Sequence, residues 1–294
     1  MSTTTTPTPR SGLAAVRGSR RVLADRRSRI LVFIAMAALT LLAVLVSGQL
    51  LQGAAGAMDL SNVNQPPSSS DWFGTDRYGR DMVARTLVGL RFSLVVGTVA
   101  AASSSVIALV LAAIAVTGGR MAETVVNWLV DFFLALPHLV LLILLTFAMG
   151  GGTNAVIIAI AVTHWPTLTR VLQAKARTVM ASEYVASSRA LGTGWWQLVR
   201  HHLLPHLLPH FLVGTVLMFP HAILHEAALS FLGLGIDPSQ PAIGILLSEA
   251  MGTLSNGQWW LALLPGLCLL VVVKLVDSIG ENLRALLDPR SFHL

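Results

Sequence analysis

Charge is what this sequence has least of: 12% of its 294 residues are Asp, Glu, Lys or Arg, about half the share found in soluble domains. Set beside 54% hydrophobic residues, that scarcity excludes a water-soluble globule. Cysteine is reduced to Cys268, so no intramolecular disulfide can form and redox chemistry is not indicated. Lysine occurs only at Lys175 and Lys274, after Ala174 and Val273. A phosphate-binding loop needs Gly-Lys-Ser/Thr, so any ATP must be hydrolysed by another chain. Recognisable spacing of a nucleophile with a base, or of a metal triad, is also missing, which leaves a membrane-bound enzyme as the least supported reading.

What the chain does have is apolar runs long enough to cross a bilayer, which takes about 20 residues each. Six occur, at 30–50, 92–116, 128–149, 155–172, 211–232 and 259–276, the third and fourth joined by the turn Gly150 to Asn154. The pattern predicts an all-α membrane protein with six transmembrane helices and both termini on one side. Residues 1–29, rich in Thr, Pro, Ser and Arg, read as a tail without regular structure. Its Ser19-Arg20-Arg21 is similar to a twin-arginine signal. The following run is too long for a signal core, however, and an uncleaved anchor is the simpler reading.

The net charge of +6 is explained by where the cations fall. With the N-terminus in the cytosol, sixteen of the twenty Lys and Arg residues lie inside, seven of them between Arg10 and Arg29. Only Arg77, Arg80, Arg85 and Arg91 lie outside, matched by Asp59, Asp71, Asp76 and Asp81. The asymmetry predicts that both termini are cytoplasmic and makes nucleic acid unnecessary as a partner, since membrane lipid suffices. The chain then divides into the tail 1–29, a first helix 30–50, an extracytoplasmic loop 51–91, a transmembrane core 92–280 and a C-terminal end 281–294.

Within the outer loop, Gln65-Pro66-Pro67-Ser68-Ser69-Ser70 disfavours regular structure. In the element that follows, Thr75 or Asp76 would cap a short helix with Met82, Val83, Thr86 and Leu87 on its apolar side. Arg77, Arg80, Asp81 and Arg85 would form a local ion-pair cluster there, a structural role being favoured over substrate contact. On the inner side, the connection 173–209 is unlike a loop. Tyr184, Val185, Ser188 and Leu191 fall at helical spacing after Ser182 as cap and before Gly192 as stop. A second amphipathic piece, Trp195 to Leu204, is expected to end at Pro205 and Pro209. The pair forms a platform that another protein could grip.

Three stretches resemble one family, the permeases of binding-protein-dependent ABC importers. Gly192, Leu204 and Pro205 stand at the spacing of the family's cytoplasmic EAA loop. Gly74, Thr75, Asp76, Gly79, Arg80 and Asp81 match the GTDxxGRD signature of the C-type permeases of dipeptide, oligopeptide and nickel importers. Ala228 to Gly244 and the C-terminal Trp259 to Leu267 and Gly280 to Arg290 are similar to the same family. The loop departs from the pattern in three places. Ala186-Ser187-Ser188 replaces Glu-Ala-Ala, with Glu183 as a substitute acid, His202 precedes Leu203 to Pro205 in place of an apolar residue, and His206 follows Pro205 in place of Asn.

The resemblance implies a type I importer permease fold in the bacterial plasma membrane, with no cofactor of its own and ATP and magnesium held by a separate ATPase. It implies a related second permease, two ATP-binding subunits and an extracytoplasmic substrate-binding protein as partners. Glu183, Tyr184, Ala186, Ser187, Ser188, Arg189, Ala190, Leu191 and Gly192, with Leu204 and Pro205, would couple transport to the ATPase. Di- and oligopeptides are the expected cargo, with nickel as the alternative. A stand-alone secondary transporter or channel is the rival of another class, but the halves show no convincing repeat.

Ionisable groups within the spans are candidates for the translocation path. His221, His225 and Glu226 share helix five, the histidines one turn apart on one face, and His138 follows Pro137 in helix three. A divalent-ion pathway and plain interhelical hydrogen bonding are both open for them. His225-Glu226 is not followed by the second histidine of a zinc-protease motif. His201, His202, His206 and His210 belong by context to the cytosolic platform.

Overall fold

The computed structural model describes residues 12–237 and 240–287, and among them the fold is helical with no strand. Five helices are long and apolar enough to cross a membrane: Ser28–Leu50, Met82–Thr117, Gly152–Met180, Trp195–Phe231 and Trp260–Leu287. The sixth candidate is not one straight helix but a pair, Gly119–Ala135 and His138–Ala148, bent by 96°. The third apolar run is therefore two helices. Pro137 disfavours helical geometry in the residue before it, and Leu136 is extended at φ −84°, ψ 141°.

We number the helices α1 (Gly12–Leu50), α2 (Gln52–Gly56), α3 (Met82–Thr117), α4 (Gly119–Ala135), α5 (His138–Ala148) and α6 (Gly152–Met180). They continue as α7 (Glu183–Ala190), α8 (Trp195–Leu198), α9 (Leu204–Phe231), α10 (Ile243–Met251) and α11 (Trp260–Leu287). The first helix reaches back to Gly12, through most of the segment expected to lack structure. Past Pro9 no proline interrupts it, and Leu13-Ala14-Ala15 are strong helix formers. Residues 1–11 of the expected tail, and 288–294 of the expected C-terminal end, lie outside the described residues.

The core is α3 packed between α6 and α9, with α11 against α9 and α1 outside against α3. Close approach comes from small residues. Ala100, Ala101, Ala108, Ala112 and Ala115 of α3 are buried against Val156, Ala159, Ile160, Leu168 and Leu172 of α6. Between membrane helices, where lipid is as apolar as leucine, such packing supplies most of the association energy. At α9 and α10 the approach is closer still: a methyl on Gly244 would stand 2.2 Å from the Ala227 carbonyl oxygen, while one on Gly266 would meet nothing nearer than 3.7 Å. Gly244→Ala is therefore expected to lower thermal stability by about 1–3 kcal/mol, the usual cost of overpacking. Gly266→Ala should change it by less than about 0.5 kcal/mol, as melting of the purified variants in lipid nanodiscs will report.

The Gly74 to Asp81 signature is a folded latch, and the structure corrects its expected parts. Asp81 caps α3, accepting from the Val83 N–H at 2.9 Å and the Ala84 N–H at 3.2 Å, so Thr75 and Asp76 are free for other work. No separate short helix forms, because α3 runs on from Met82 into the membrane span. Thr75 donates to the Asn62 carbonyl and accepts from the Gln65 N–H. Asp76 uses Oδ1 for the Tyr78 and Arg80 N–H groups, and Oδ2 for Arg80 and Arg85, each at 2.6 Å. Arg85 also donates to Glu249 of α10 at 2.9 Å. Asp81 is not in the ion-pair cluster, and Arg77 lies over the Tyr78 ring instead. Gly79, at φ +70°, is required because a methyl there would fall 1.8 Å from the Asp59 carbonyl oxygen.

Candidate functional site

At the opposite end of the bundle from this latch, α6 leads into α7. Ser182 has the extended backbone of a cap, and its carbonyl accepts the Val185 and Ala186 N–H groups. Its hydroxyl instead donates to the Val179 carbonyl, so the side-chain cap expected of it is not made. The helix stops as the sequence predicts. Gly192 is at φ +80°, the Thr193 N–H bonds the Ser188 carbonyl and the Gly192 N–H that of Arg189, a paired-bond stop that glycine makes possible.

Only Val185 of α7 is fully buried. Tyr184 lies against the rings of His202 and His206, and Ser188 is 3.4 Å from His202 Nε2. The two histidines that depart from the family's pattern thus hold α7 to the bundle. Glu183, Ala186, Ser187, Arg189, Ala190, Leu191 and Gly192 face outward, Leu191 with 87% of its surface free. Trp195 and Trp196 are exposed beside them. The result is a short helix clamped on one side and presenting an apolar tip on the other.

The chain then continues through α8 and a π-helical turn, Val199–Leu203, into α9. Contrary to the expectation from sequence, Pro205 and Pro209 do not end this segment. Pro205 falls at the start of the new α-helical register, where a missing N–H costs little, and membrane helices accommodate interior prolines through their neighbours. Leu203 and Leu207 are fully buried behind Trp165 and Leu172, which fixes the angle at which the loop leaves the bundle.

From this same end a cavity of about 1110 Å³ reaches into the bundle between α4, α6, α9 and the end of α11. His138, His164, His221 and His225 line its inner part, and Lys175, His210 and Arg284 its part nearer α7. From His164 to Lys175 along α6 is about 16 Å at 1.5 Å per residue. Apolar groups such as Leu168, Val213 and Leu217 make up most of the wall between. Its charged and titratable lining groups are all basic, which suits a ligand that carries a carboxylate among apolar parts.

The structure brings His138 of α5 together with His221 and His225 of α9. Glu226 is not with them: it is fully buried away from the cavity, its Oε1 accepting the Ser230 hydroxyl at 2.8 Å. His225 and Glu226 are adjacent in sequence, and adjacent helical residues point about 100° apart. His164 was missed by the sequence reading. As an ionisable residue inside an apolar run it carried the same signal as His138. Elsewhere, Asp131 pairs with Arg170, and Arg177 with Glu123, linking α4 to α6 at the surface. His210 lines the cavity, and Lys274 pairs with Asp277 at 2.8 Å on the surface of α11.

Comparison with known proteins meets this geometry at several points. Residues 104–290 match the family model described as the inner membrane component of binding-protein-dependent transport systems. A Brucella suis protein provisionally named a peptide permease is 37% identical over 235 residues, covering 80% of this chain and 78% of that protein. The dipeptide transport system permease protein DppC of Bacillus subtilis is 32% identical over 231 residues, or 79% and 72% of the two chains. Among solved structures, the MetNI methionine ABC transporter superposes with a TM-score of 0.57 at 20% identity, over 70% of this chain and 98% of the other, and so shares the fold. With a matching domain over most of its length and relatives above 30% identity along more than two thirds of it, this multi-pass chain belongs to the inner membrane components of binding-protein-dependent transport systems.

Proposed function

We propose that the chain is the permease subunit of an ATP-driven importer of di- and oligopeptides, with α7 as its contact to the ATPase. The observation that carries this is α7 itself: a helix fixed to the bundle through Tyr184 and Val185, exposing Leu191 at the end where the cavity opens. An apolar tip left in water gains free energy by entering a groove on a partner. Movement of that tip reaches the cavity walls through Tyr184, His202 and α9, which is how binding energy in one subunit would bias two packed arrangements of another.

The remaining parts of the reading follow from family membership. ATP and magnesium belong to two separate ATP-binding subunits, and this chain holds neither. A related second permease completes the wall of the cavity, and a substrate-binding protein delivers cargo at the Gly74 to Asp81 end. The Arg-rich side supports a cytosolic position for α7 and both termini. Peptides are favoured over nickel because the relatives at 31–37% identity carry peptide transport in their names. The basic, largely apolar cavity fits a peptide with a free carboxylate better than a bare cation.

Reconstitution tests this. In liposomes containing this chain, its partner permease, both ATPases and the binding protein, labelled dipeptide should accumulate only with ATP. The chain alone should carry none. Uptake by the chain alone would establish the secondary-transporter reading, and ATP-driven uptake of nickel without peptide would replace the cargo.

A further inference from the structure

The three imidazoles at the inner part of the cavity are arranged more closely than a general polar lining requires. His138 opens α5, His164 lies mid-way along α6, and His225 is in the second half of α9. One ring nitrogen from each lies within 4.8 Å of the others, and His138 Nε2 is 3.4 Å from His164 Nε2. Ring centroids are 4.5, 4.9 and 5.0 Å apart, with the planes tilted or edge-on rather than stacked. Two nitrogens bound to one tetrahedral ion at about 2.0–2.1 Å would be about 3.3–3.4 Å apart. The His138–His164 pair already has that spacing, and His225 offers a nitrogen within 4.8 Å of both.

The second feature is the far side of His164. Its Nδ1 is 3.1 Å from the Ile160 carbonyl oxygen, which can only accept, so Nδ1 carries the proton and Nε2 directs a bare lone pair toward His138. A backbone carbonyl that fixes the tautomer in this way is the usual outer support of a metal-binding histidine. Three imidazoles without a carboxylate or thiolate suit zinc, copper or nickel and not magnesium or calcium. His221, one helical turn from His225 on the cavity wall, leaves room for water or a fourth nitrogen.

We infer that His138, His164 and His225 form a binding site for a single divalent transition-metal ion that, when filled, ties α5, α6 and α9 together. The ion is a ligand of the permease and not its cargo, since three nitrogen donors from three helices would hold it in place. Pro137 and the 96° break put α5 in reach of the other two helices. Any transport step that separates α5 from α9 is then blocked while the ion is bound, whatever the cargo is.

The test uses the full chain assembled with its partners in lipid nanodiscs and purified through a tag without histidines. Titration with cobalt(II) should give the visible absorption of a tetrahedral nitrogen site at one ion per copy of this chain, displaced by zinc. His138→Ala, His164→Ala and His225→Ala should each weaken binding at least about tenfold, while His201→Ala, outside the cavity, should not. Zinc should also inhibit ATP-driven uptake by the unaltered complex, reversibly on chelation, and should not lower the uptake of His138→Gln below that variant's own metal-free level. Absence of stoichiometric cobalt binding by the unaltered complex overturns the site. Binding that survives all three alanine variants, or zinc inhibition that persists in His138→Gln, overturns it equally.

Discussion

Leu191→Asp is expected to leave the chain folded in the membrane and to abolish its stable association with the ATPase, with ATP-driven uptake falling at least about a hundredfold. Leu191 is 87% exposed, so in the free chain the substitution removes little packing and should shift stability by no more than about 0.5 kcal/mol. In a docked complex the balance changes. Burying a leucine side chain is worth about 1.5–3 kcal/mol, and a carboxylate in its place must be desolvated without a partner. Losing the first contribution and adding a desolvation cost of similar size exceeds about 2.8 kcal/mol, or two factors of ten in affinity. Leu191→Met, which keeps an apolar tip, should retain most of the activity. Co-purification of the four-subunit core gives the readout, and a Leu191→Asp chain that still pulls down ATPase at normal yield would exclude α7 as the contact.

What could be seen in the sequence divides along a physical line between local and distant causes. The six apolar runs were legible because bilayer thickness fixes their length, and the α7 stop was legible because Gly192 alone in that stretch takes up φ +80° at no cost. The extent of α1 was not, since a Thr- and Pro-rich beginning obscures the helix formers after Pro9. Pro137 is visible in the third run, yet whether a proline bends a membrane helix slightly or breaks it by 96° depends on the neighbours that satisfy the freed backbone groups. Asp81 as the cap of α3 was not legible because Thr75, Asp76 and Asp81, close together in sequence, all have capping side chains, and the Gly79 turn separates the first two from the helix start. The histidine cluster could be named only in part: convergence of His138, His164 and His225 is set by three helices crossing at one depth, which no single window contains.

The Arg85–Glu249 contact is the most distant of these, 164 positions apart, and it sets up the second large effect. Arg85 is 3% exposed and donates to both Asp76 and Glu249. Arg85→Leu would leave two carboxylates facing one another with only Arg80 between them, at 2.6 Å from Asp76 and a weaker 3.7 Å from Glu249. Breaking a buried pair by removing one partner costs about 3–5 kcal/mol, so melting of the variant in nanodiscs should drop sharply. Arg85→Lys should recover only part of this: Nη1 of the guanidinium donates to both acids, and an ammonium on a differently shaped stem does not reach the same point between them. The double variant Arg85→Leu with Glu249→Leu should be more stable than Arg85→Leu alone, since it removes the uncompensated charge and lets α3 and α10 meet through apolar atoms. A purely local role for the Gly74 to Asp81 signature predicts instead that Glu249→Leu adds its own damage, so the sign of the coupling between positions 85 and 249 decides whether that signature clamps α10 to the entrance of α3.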